Sequence, residues 1–566
     1  MNEKSSKMVL LTLVLLILAS IVCMRVVSLD SDAYKELSWD TGLFTDEGYY
    51  THNARNVALY GTDSTDEFNN KLLMPIIHSV QVVVFKVFGY GAIQARLISV
   101  VFSLLTLAVF WLALVRCMDM EVACVATLLL GLDHIHLLYN RLALMDTPAA
   151  FVMVCALFAC IRVWEEVDSE AIVGNAGVVR WSVIGGILLG LVYATRGLGA
   201  ILIPAPFVAY WFTRRQGYWV EQRLNLVFSR MVLGLGIAIL LYVLLWYLPN
   251  RVALSAANRY HIGFQLLPHS PARLWHNIWQ SLFGQAFLGL APYLSRYSPV
   301  AFGAILSLFA GWKIVARLPL VGQLAARCFA VWLCLGWLLF TVVNYSPSRY
   351  YILVSPAFAA LAALSVVYIK EVWEEVNAQR FWRGVLFGFF ALQAAGIAAP
   401  HIPLPQTVSI VGITVVGTLI GLLLPSSMGY DRASLTAISR ASIVLLGFWM
   451  VINGYWLSDW WTHRTYTHRD ASLWLGQNLP PESVLIGDCA PGLCFYNRLK
   501  CVNVIPDLCN DKKPYEKFAP APRYIAILDE GYKETWWKEH YPKLVSPQRR
   551  VKLFSPLVSH PVGIYH

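Results

Sequence analysis

The chain has 566 residues, of which 57% are hydrophobic and only 14% are charged. A soluble protein of this length does not hide so much apolar surface, so the composition excludes that class and indicates a polytopic α-helical membrane protein. The formal charge of +10 does not indicate nucleic-acid binding, because Lys and Arg collect in the cytoplasmic loops of membrane proteins and set their topology.

Apolar blocks of about 17–25 residues, the length that crosses a bilayer as a helix, predict about thirteen transmembrane spans. The first block follows Lys4 and Lys7 and has no small-residue cleavage site, which predicts a retained span with its N-terminus inside. With this orientation every inside loop is basic, as the positive-inside rule requires. The predicted spans are 8–28, 92–115, 119–138, 147–164, 181–195, 197–213, 228–248, 283–311, 325–343, 350–369, 384–400, 407–425 and 440–458.

The predicted transmembrane domain covers residues 1–458 and has two long outside loops, at 29–91 and 249–282. In the first loop, the apolar segment Leu72–Tyr90 is interrupted by Pro and polar side chains. This pattern predicts a helix that lies in the membrane interface and does not span it.

Residues 459–566 predict a small soluble α/β domain on the extracytoplasmic side, with strands at Ser483–Ile486 and Tyr524–Leu528. Four cysteines cluster in this tail, and an even set in an oxidising compartment predicts one or two disulfides. Zinc is the alternative, although the spacing lacks the usual CxxC pairs. The disulfide candidates are Cys489, Cys494, Cys501 and Cys509.

An acidic pair, Asp46-Glu47, lies in the first outside loop and is followed by Tyr49 and Tyr50. A solvated pair or a helix N-cap is the simpler explanation of two such residues. The aromatic and polar neighbours favour a substrate site, in which a carboxylate at the membrane face acts as a base.

A second carboxylate, Asp146, opens the fourth predicted span with Thr147 and Pro148. This arrangement suits a helix N-terminus. The predicted topology also places Asp146 on the same membrane face as Asp46, so the two carboxylates are candidates for one site.

Basic residues on the outside face are not explained by the positive-inside rule, and they indicate an anionic partner such as a phosphate. Arg349-Tyr350 opens a predicted span, where the helix N-terminus adds its own attraction for an anion. Other candidates are Lys86, Arg141 and Arg259. The loop that holds His261 is rich in Trp and His, which suit either membrane-interface anchors or stacking on sugar rings.

Four motifs in this order resemble the GT-C superfamily of polyprenyl-phosphate-sugar-dependent glycosyltransferases. The nearest branches are the bacterial protein O-mannosyltransferases and the aminoarabinose (lipid A) transferases. The motifs are Asp46-Glu-Gly-Tyr-Tyr50 with Gly89-Tyr-Gly-Ala-Ile-Gln-Ala-Arg-Leu97, Arg141-Leu-Ala-Leu-Met-Asp-Thr-Pro148, Ser348-Arg-Tyr-Tyr-Ile-Leu-Val-Ser-Pro356, and a soluble tail with Trp474-Leu475 and Pro480-Pro481.

The resemblance implies a GT-C transmembrane bundle that takes a sugar from an undecaprenyl or dolichyl phosphate. Asp46 then corresponds to the catalytic base, with Glu47 beside it and Asp146 as the second acidic residue. The Arg349-Tyr350 segment corresponds to the region near the lipid phosphate. No cofactor is required, and a divalent metal is tolerated but not expected. The site and the C-terminus are expected on the periplasmic side of a bacterial inner membrane.

The expected reaction is an inverting transfer to a hydroxyl or phosphate of a lipid, a protein or an envelope glycan. One carboxylate suffices for it, because the glycosyl phosphate already carries a good leaving group. A secondary transporter is the competing class, and it predicts paired halves with ionisable groups at mid-membrane. A flippase or ligase of lipid-linked glycan is a further alternative that shares the fold and the lipid.

Overall fold

In a computed structural model of the chain, the helices and strands are defined over most of the sequence. The described residues are 3–35, 37, 46–61, 70–168, 176–216, 221–260, 268–283, 314–345, 347–371, 432–481, 483–506, 509–517, 523–528, 532–557 and 560–566, with single residues at 304, 307, 384, 388, 391, 415, 416 and 419.

Helices dominate the part of the chain before residue 463. They are α1 (Glu3–Val26), α2 (Asp46–Tyr60), α3 (Asn70–Leu73), α4 (Pro75–Phe88), α5 (Ala92–Cys117), α6 (Met120–Leu132), α7 (His134–Asn140), α8 (Asp146–Asp168), α9 (Ala176–Thr195), α10 (Pro204–Gln216), α11 (Glu221–Tyr242), α12 (Leu248–Tyr260), α13 (Pro271–Phe283), α14 (Leu320–Val342), α15 (Ser355–Val367) and α16 (Arg432–Thr462). Two 3-10 helices, Gly197–Leu202 and Ser348–Leu353, precede α10 and α15.

Five of the described helical segments are long and apolar enough to cross a membrane, and a sixth counts if the bent pair α6–α7 is one span. The chain is therefore an integral membrane protein. The total of about thirteen spans stays a prediction. Three of the predicted spans, 283–311, 384–400 and 407–425, fall almost wholly outside the described residues.

The span predicted at 119–138 corresponds to a bent pair of helices. Helices α6 and α7 meet at Asp133 with a bend of 60°. The Asp133 side chain accepts a hydrogen bond from the backbone N–H of His136, and so caps the start of a new helix. A capping carboxylate satisfies one of the N–H groups that a helix start leaves open, which stabilises the break.

Helix α4 confirms the helix predicted in the first outside loop. Pro75 stands at its first turn, where its missing N–H costs nothing. One face is buried, with Ile77 and Phe85, whereas Val83 and Val87 on the other are exposed. This division is what an interfacial helix needs, although its position in the membrane stays a prediction.

Glycine permits close packing of two membrane helices, α9 and α11. A Cβ added at Gly186 would lie 2.1 Å from the carbonyl oxygen of Met231. One added at Gly234 would lie 2.2 Å from that of Val183. Small residues let helix backbones approach this closely where no hydrophobic effect drives association.

The tail contains a five-stranded mixed sheet in the order β2-β1-β3-β5-β4. Strands β1, β2 and β3 are parallel, and β5 is antiparallel to both β3 and β4. Both predicted strands are found, as β1 and β3. The tail elements are α17 (Thr467–Asn478), β1 (Val484–Gly487), α18 (Ala490–Leu493), β2 (Lys500–Asn503), α19 (Pro514–Lys517), β3 (Arg523–Leu528), α20 (Tyr532–His540), β4 (Arg550–Leu557) and β5 (His560–Tyr565).

The tail packs directly against α2, and Arg55 is the centre of the contact. Its fully buried guanidinium donates to the carbonyl oxygens of Asn497 (2.9 Å) and Leu499 (2.8 Å). It also lies over the Tyr90 ring, 4.9 Å from the centroid. Tyr90 in turn stacks on the buried ring of Phe495. Hydrogen bonds and apolar packing therefore join α2 to the tail.

Asp32 makes a second connection between the two parts. Its carboxylate accepts hydrogen bonds from the hydroxyls of Thr465 and Thr467 and from the backbone N–H of His468, at the start of α17. Burial opposes ionisation of this carboxyl, but the His468 side chain, whose Nδ1 lies 3.2 Å away, and the two threonine hydroxyls outweigh it and hold the pKa of Asp32 below its usual value. The residue is therefore a charged N-terminal anchor for α17.

Candidate active site

The polar surroundings of the acidic pair predict an irregular loop. In the structure, Asp46 and Glu47 instead form the first turn of α2. Asp46 is 8% exposed and Glu47 is completely buried. Acidic side chains are stable at a helix N-terminus because the backbone N–H groups there carry partial positive charge. The two carboxylates nevertheless reach different partners.

Asp46 forms an ion pair with Arg349, whose Nη1 lies 2.5 Å from Oδ2 of the carboxylate. Arg349 is in the 3-10 helix Ser348–Leu353 and is itself buried. Its Nε lies 3.7 Å from Oδ2 of Asp146. The guanidinium of Arg349 is therefore placed between two carboxylates that are 100 positions apart in sequence.

Asp146 begins α8 and is completely buried. Its Oδ1 lies 3.0 Å from Nε of Arg196, in the turn between α9 and the next 3-10 helix. Within the described part of the chain, neither oxygen of Asp146 has a well-aligned hydrogen bond. Two carboxylates and two guanidiniums thus form one cluster, which we call the charged quartet (Asp46, Asp146, Arg196, Arg349).

Tyrosines surround the two arginines of the quartet. Nη2 of Arg349 lies 3.4 Å from the hydroxyl of Tyr50 and equally far from that of Tyr345. The ring of Tyr350 lies against both guanidiniums, with its centroid 5.4 Å from Cζ of Arg196 and 5.4 Å from Cζ of Arg349. Burial raises the pKa of Tyr50, and the charge of Arg349 lowers it by less, so its phenol stays neutral. Neutral phenols and rings contact the cations without cancelling their charge.

Comparison with known proteins agrees with this architecture. Residues 79–255 match the sequence model of a family described as dolichyl-phosphate-mannose-protein mannosyltransferase. ArnT from Cupriavidus metallidurans in the apo state has 18% identical residues and a TM-score of 0.59, over 98% of both chains. The same protein bound to undecaprenyl phosphate gives 17% and 0.55, again over 98% of both. The chain has the GT-C fold.

A more distant GT-C structure is the archaeal oligosaccharyltransferase AglB from Archaeoglobus fulgidus, in complex with an inhibitory peptide and a dolichol-phosphate. It is 12% identical with a TM-score of 0.50, over 87% of this chain and 64% of that one. No curated protein sequence gives a significant match. The resemblance to GT-C enzymes is confirmed, and the family match together with the fold indicates a glycosyltransferase.

Glu47 fixes α2 to the neighbouring part of the helical bundle. Its two oxygens accept from Nε (2.8 Å) and Nη2 (2.7 Å) of the buried Arg96, and Oε1 also accepts from the backbone N–H of Ala143 (2.7 Å). This bidentate pair connects α2, α5 and the segment before α8. The geometry favours a positioning role for Glu47 over the catalytic role predicted beside Asp46.

Arg141 does not face the quartet. Its guanidinium donates to the carbonyl oxygens of Met24 (2.5 Å), Val27 (2.7 Å) and Ser28 (3.0 Å). The ring of Trp460 lies 4.3 Å from it. These contacts hold the end of α1 in place, so the structure favours a structural role over the predicted phosphate contact.

The remaining predicted residues lie apart from the quartet or outside the described chain. Lys86 is exposed in the last turn of α4. Arg259 belongs to α12, but its side chain is not among the described ones, and His261 lies outside the described residues. Tyr49 is half-buried on the side of α2 that meets the tail. Their binding roles stay predictions.

The predicted disulfides are not present in this structure, in which all eleven cysteines are thiols. Cys489, Cys494, Cys501 and Cys509 are all buried. Three of them pack with Leu485 in one apolar cluster. Burial raises the pKa of the Cys494 thiol well above its usual value. Buried thiols of this kind act as small apolar groups, which gives the cysteines a packing role.

Arg196 belongs to the quartet, and Tyr345 contacts it through Arg349. Neither was predicted as a site residue. The sequence contains a signal for Arg196, which is an outside-facing arginine in a short turn between two apolar segments. Such a charge has no topological reason on that face. Tyr345 offers no comparable signal, because aromatic residues near membrane surfaces are common.

Proposed function

We propose that this GT-C protein is an inverting glycosyltransferase that takes a sugar from a polyprenyl-phosphate donor at the extracytoplasmic membrane face. The observation that carries the proposal is the contact between Asp46 and Arg349. It places a candidate base beside a candidate phosphate-binding cation. The family match and the ArnT structure with bound undecaprenyl phosphate support the same donor class.

Asp46 is the better candidate for the base of the two quartet carboxylates. It is 8% exposed, whereas Asp146 is completely enclosed. An acceptor hydroxyl has a pKa far above 7, so a carboxylate must remove its proton as it attacks. The acceptor oxygen then bonds to the anomeric carbon, and the bond from that carbon to the phosphate oxygen breaks. The electron pair leaves with the polyprenyl phosphate, the proton stays on Asp46, and the anomeric centre inverts.

Arg349 and Arg196 are suited to the leaving phosphate. Negative charge grows on the phosphate as the glycosidic bond breaks, and fixed cations stabilise it best where water is excluded. Both guanidiniums are buried and already held by Asp146, so they need little reorganisation. In this proposal Asp146 positions the two arginines and takes no proton.

The acceptor is proposed by class only. The family description names a protein mannosyltransferase. The resemblance to aminoarabinose transferases supports lipid A instead, and an envelope glycan is the third candidate. Each offers a hydroxyl or a phosphate to the same base. The predicted topology supports a site on the periplasmic side of a bacterial inner membrane.

The proposed reaction uses no metal ion, because the two arginines supply the positive charge that a metal provides in other phosphate sites. Transfer by membranes is therefore expected to continue in EDTA at the rate seen without it. A loss of transfer in EDTA that added Mg²⁺ or Mn²⁺ restores would contradict this part of the proposal.

The test is Asp46→Asn in membranes that contain the full chain. Radiolabelled undecaprenyl-phosphate mannose and undecaprenyl-phosphate aminoarabinose are the donors, with a Ser/Thr peptide and lipid A as acceptors. General-base removal is expected to lower transfer about 10²- to 10⁴-fold. Asp470→Asn is the control, since that carboxylate is largely exposed on α17. Transfer by Asp46→Asn at the wild-type rate would overturn the proposal.

A further inference from the structure

The carboxyl ends of β1 and β2 lie side by side at one edge of the tail sheet. Gly487 pairs with Asn503, and the backbone N–H of Val504 donates to the carbonyl of Gly487 (3.3 Å). Asp488 directly follows β1, and Asn503 ends β2. In open sheets, ligands bind outside the carboxyl ends of parallel strands.

This edge is directed toward the N-terminal end of α2, where Asp46 lies. Arg55 meets the carbonyl of Leu499, and Asn56 donates to the carbonyl of Cys501 (3.2 Å). Asn503 is two residues further along β2, on the same face as Cys501. Because Tyr60 contacts Arg498 at the other end, β2 runs antiparallel to α2.

Tyr49 lies between this edge and Asp46. It is one helical turn from Asp46 on α2. Burial, followed by the charges of Asp488 and its neighbours, raises the pKa of Tyr49 well above its usual value, and Asp46 adds to the shift. The phenol is therefore a neutral hydroxyl within range of the charges of both Asp46 and Asp488.

The hydrogen bonds within the described structure do not explain why residue 503 carries an amide side chain. It is completely buried, and within the described residues neither Nδ2 nor Oδ1 has a hydrogen-bond partner. Its backbone is engaged, since Asn503 pairs with Gly487 and its carbonyl accepts from Nδ2 of Asn510 (2.8 Å) and from the Cys509 thiol (3.7 Å). An unsatisfied buried amide is unfavourable for folding. A polar ligand that pairs with it removes this defect.

We propose that Tyr49, Asp488 and Asn503 form a subsite for saccharide hydroxyls between the catalytic helix and the tail sheet. The inference rests on the proposed function. An amide both donates and accepts, as vicinal hydroxyls do, and a carboxylate accepts from a hydroxyl. A phosphate is disfavoured here, because Asp46 and Asp488 both carry negative charge. The saccharide is either that of the donor or that of a glycan acceptor.

The test is Asn503→Ala in the full-length chain, assayed with the donor and acceptor pair that the wild type uses. Loss of hydrogen bonds to the sugar is expected to raise one KM about tenfold, with kcat little changed. A raised donor KM assigns the subsite to the donor sugar, and a raised acceptor KM assigns it to the acceptor. Inhibition by sugar-free undecaprenyl phosphate is expected to stay the same, since this ligand has no saccharide.

The melting temperature separates this role from a structural one. Asn503→Ala removes no hydrogen bond of the amide, so its melting temperature is expected to equal or exceed that of the wild type. The matched control is Asn497→Ala. Nδ2 of Asn497 donates to the carbonyls of Ser472 (2.9 Å) and Leu493 (2.8 Å), so this variant is expected to melt lower with both KM values unchanged.

Two results would overturn the subsite. One is an Asn503→Ala variant with both KM values unchanged, and the other is one that melts lower as Asn497→Ala does. Neither result touches the proposed base, because that depends on Asp46→Asn alone. If Asp46→Asn retains full transfer, the proposed function fails first, whatever Asn503→Ala shows.

Discussion

Asp46 and Glu47 are consecutive residues that contact different arginines. Asp46 meets Arg349 at 2.5 Å, and Glu47 meets Arg96 at 2.7 Å. Neighbouring residues on a helix point about 100° apart, so one turn of α2 serves two directions. The side chain of Asp46 faces Arg349 in the quartet, and the side chain of Glu47 fixes α2 to the bundle through Arg96.

The pair with Arg96 predicts that Glu47→Gln is mainly a stability defect. It leaves the buried guanidinium of Arg96 without its charge partner, which costs about 3–5 kcal/mol when an ion pair is broken from one side. Thermal unfolding in detergent measures the loss. In the double variant Glu47→Gln with Arg96→Met, the loss is expected to be smaller than the sum of the single losses. Additive losses would show that the two residues do not act as a pair.

Arg349→Lys is expected to lower kcat/KM for the donor about 10²-fold with little change in melting temperature. Lysine keeps the charge but loses the planar fork that reaches Asp46 and Asp146 together. Arg141→Lys is the matched control. Its guanidinium serves backbone carbonyls, so this change is expected to lower the melting temperature and leave kcat/KM unchanged. Equal kinetic losses in both variants would contradict the assignment of Arg349.

Arg55→Lys is expected to loosen the tail from α2. The change removes two hydrogen bonds to carbonyls of the tail, at about 1 kcal/mol or more for each. Limited proteolysis of the full chain, followed by mass analysis, reports cleavage between α16 and α17. The exposed neighbour Arg498→Lys is the control and is expected to be cut at the wild-type rate. Unchanged cleavage in Arg55→Lys would show that the two hydrogen bonds of Arg55 do not hold the tail against α2.

The low pKa of Asp32 predicts that its connection with the start of α17 is sensitive to acid. Its pKa is lower in the folded chain than the value of about 3.9 in an unfolded one. The stability that it contributes is therefore fully present above about pH 4, and it is lost as the pH falls toward the folded-state pKa. Asp32→Asn is expected to lower the melting temperature at pH 7 and to differ less from the wild type at pH 3. A difference that stays constant between these pH values would contradict the role of the charge.

Local features of the sequence singled out Asp46, Asp146 and Arg349, and the structure brings the three together, while their role as site residues stays a prediction. Asp146 and Arg349 stand at the starts of predicted spans, whereas Asp46 was singled out as a carboxylate among aromatic and polar residues of the first outside loop. The β1 and β3 strands were likewise evident from short apolar runs between turn residues. These signals are local, so one sequence contains them.

The partners of these residues were not predictable in the same way. Arg196 reaches Asp146 across 50 positions, and Arg96 reaches Glu47 across 49. Such contacts depend on how helices pack, which no periodicity specifies. The bend at Asp133 was missed for a related reason. A capping carboxylate inside an apolar run has the same sequence appearance as a polar residue inside a continuous span.

The contacts between Arg55 and the tail also determine when α2 is fully packed during synthesis. The carbonyl partner of Arg55 in Asn497 is 442 residues further along the chain. At translation rates of about 5–20 residues per second, that partner emerges roughly 20–90 s after the helix that carries Asp46. Helix α2 therefore acquires these contacts only after 442 further residues have been made. A chain that ends before Asn497 would carry every member of the quartet and still lack the contacts that hold α2 against the tail.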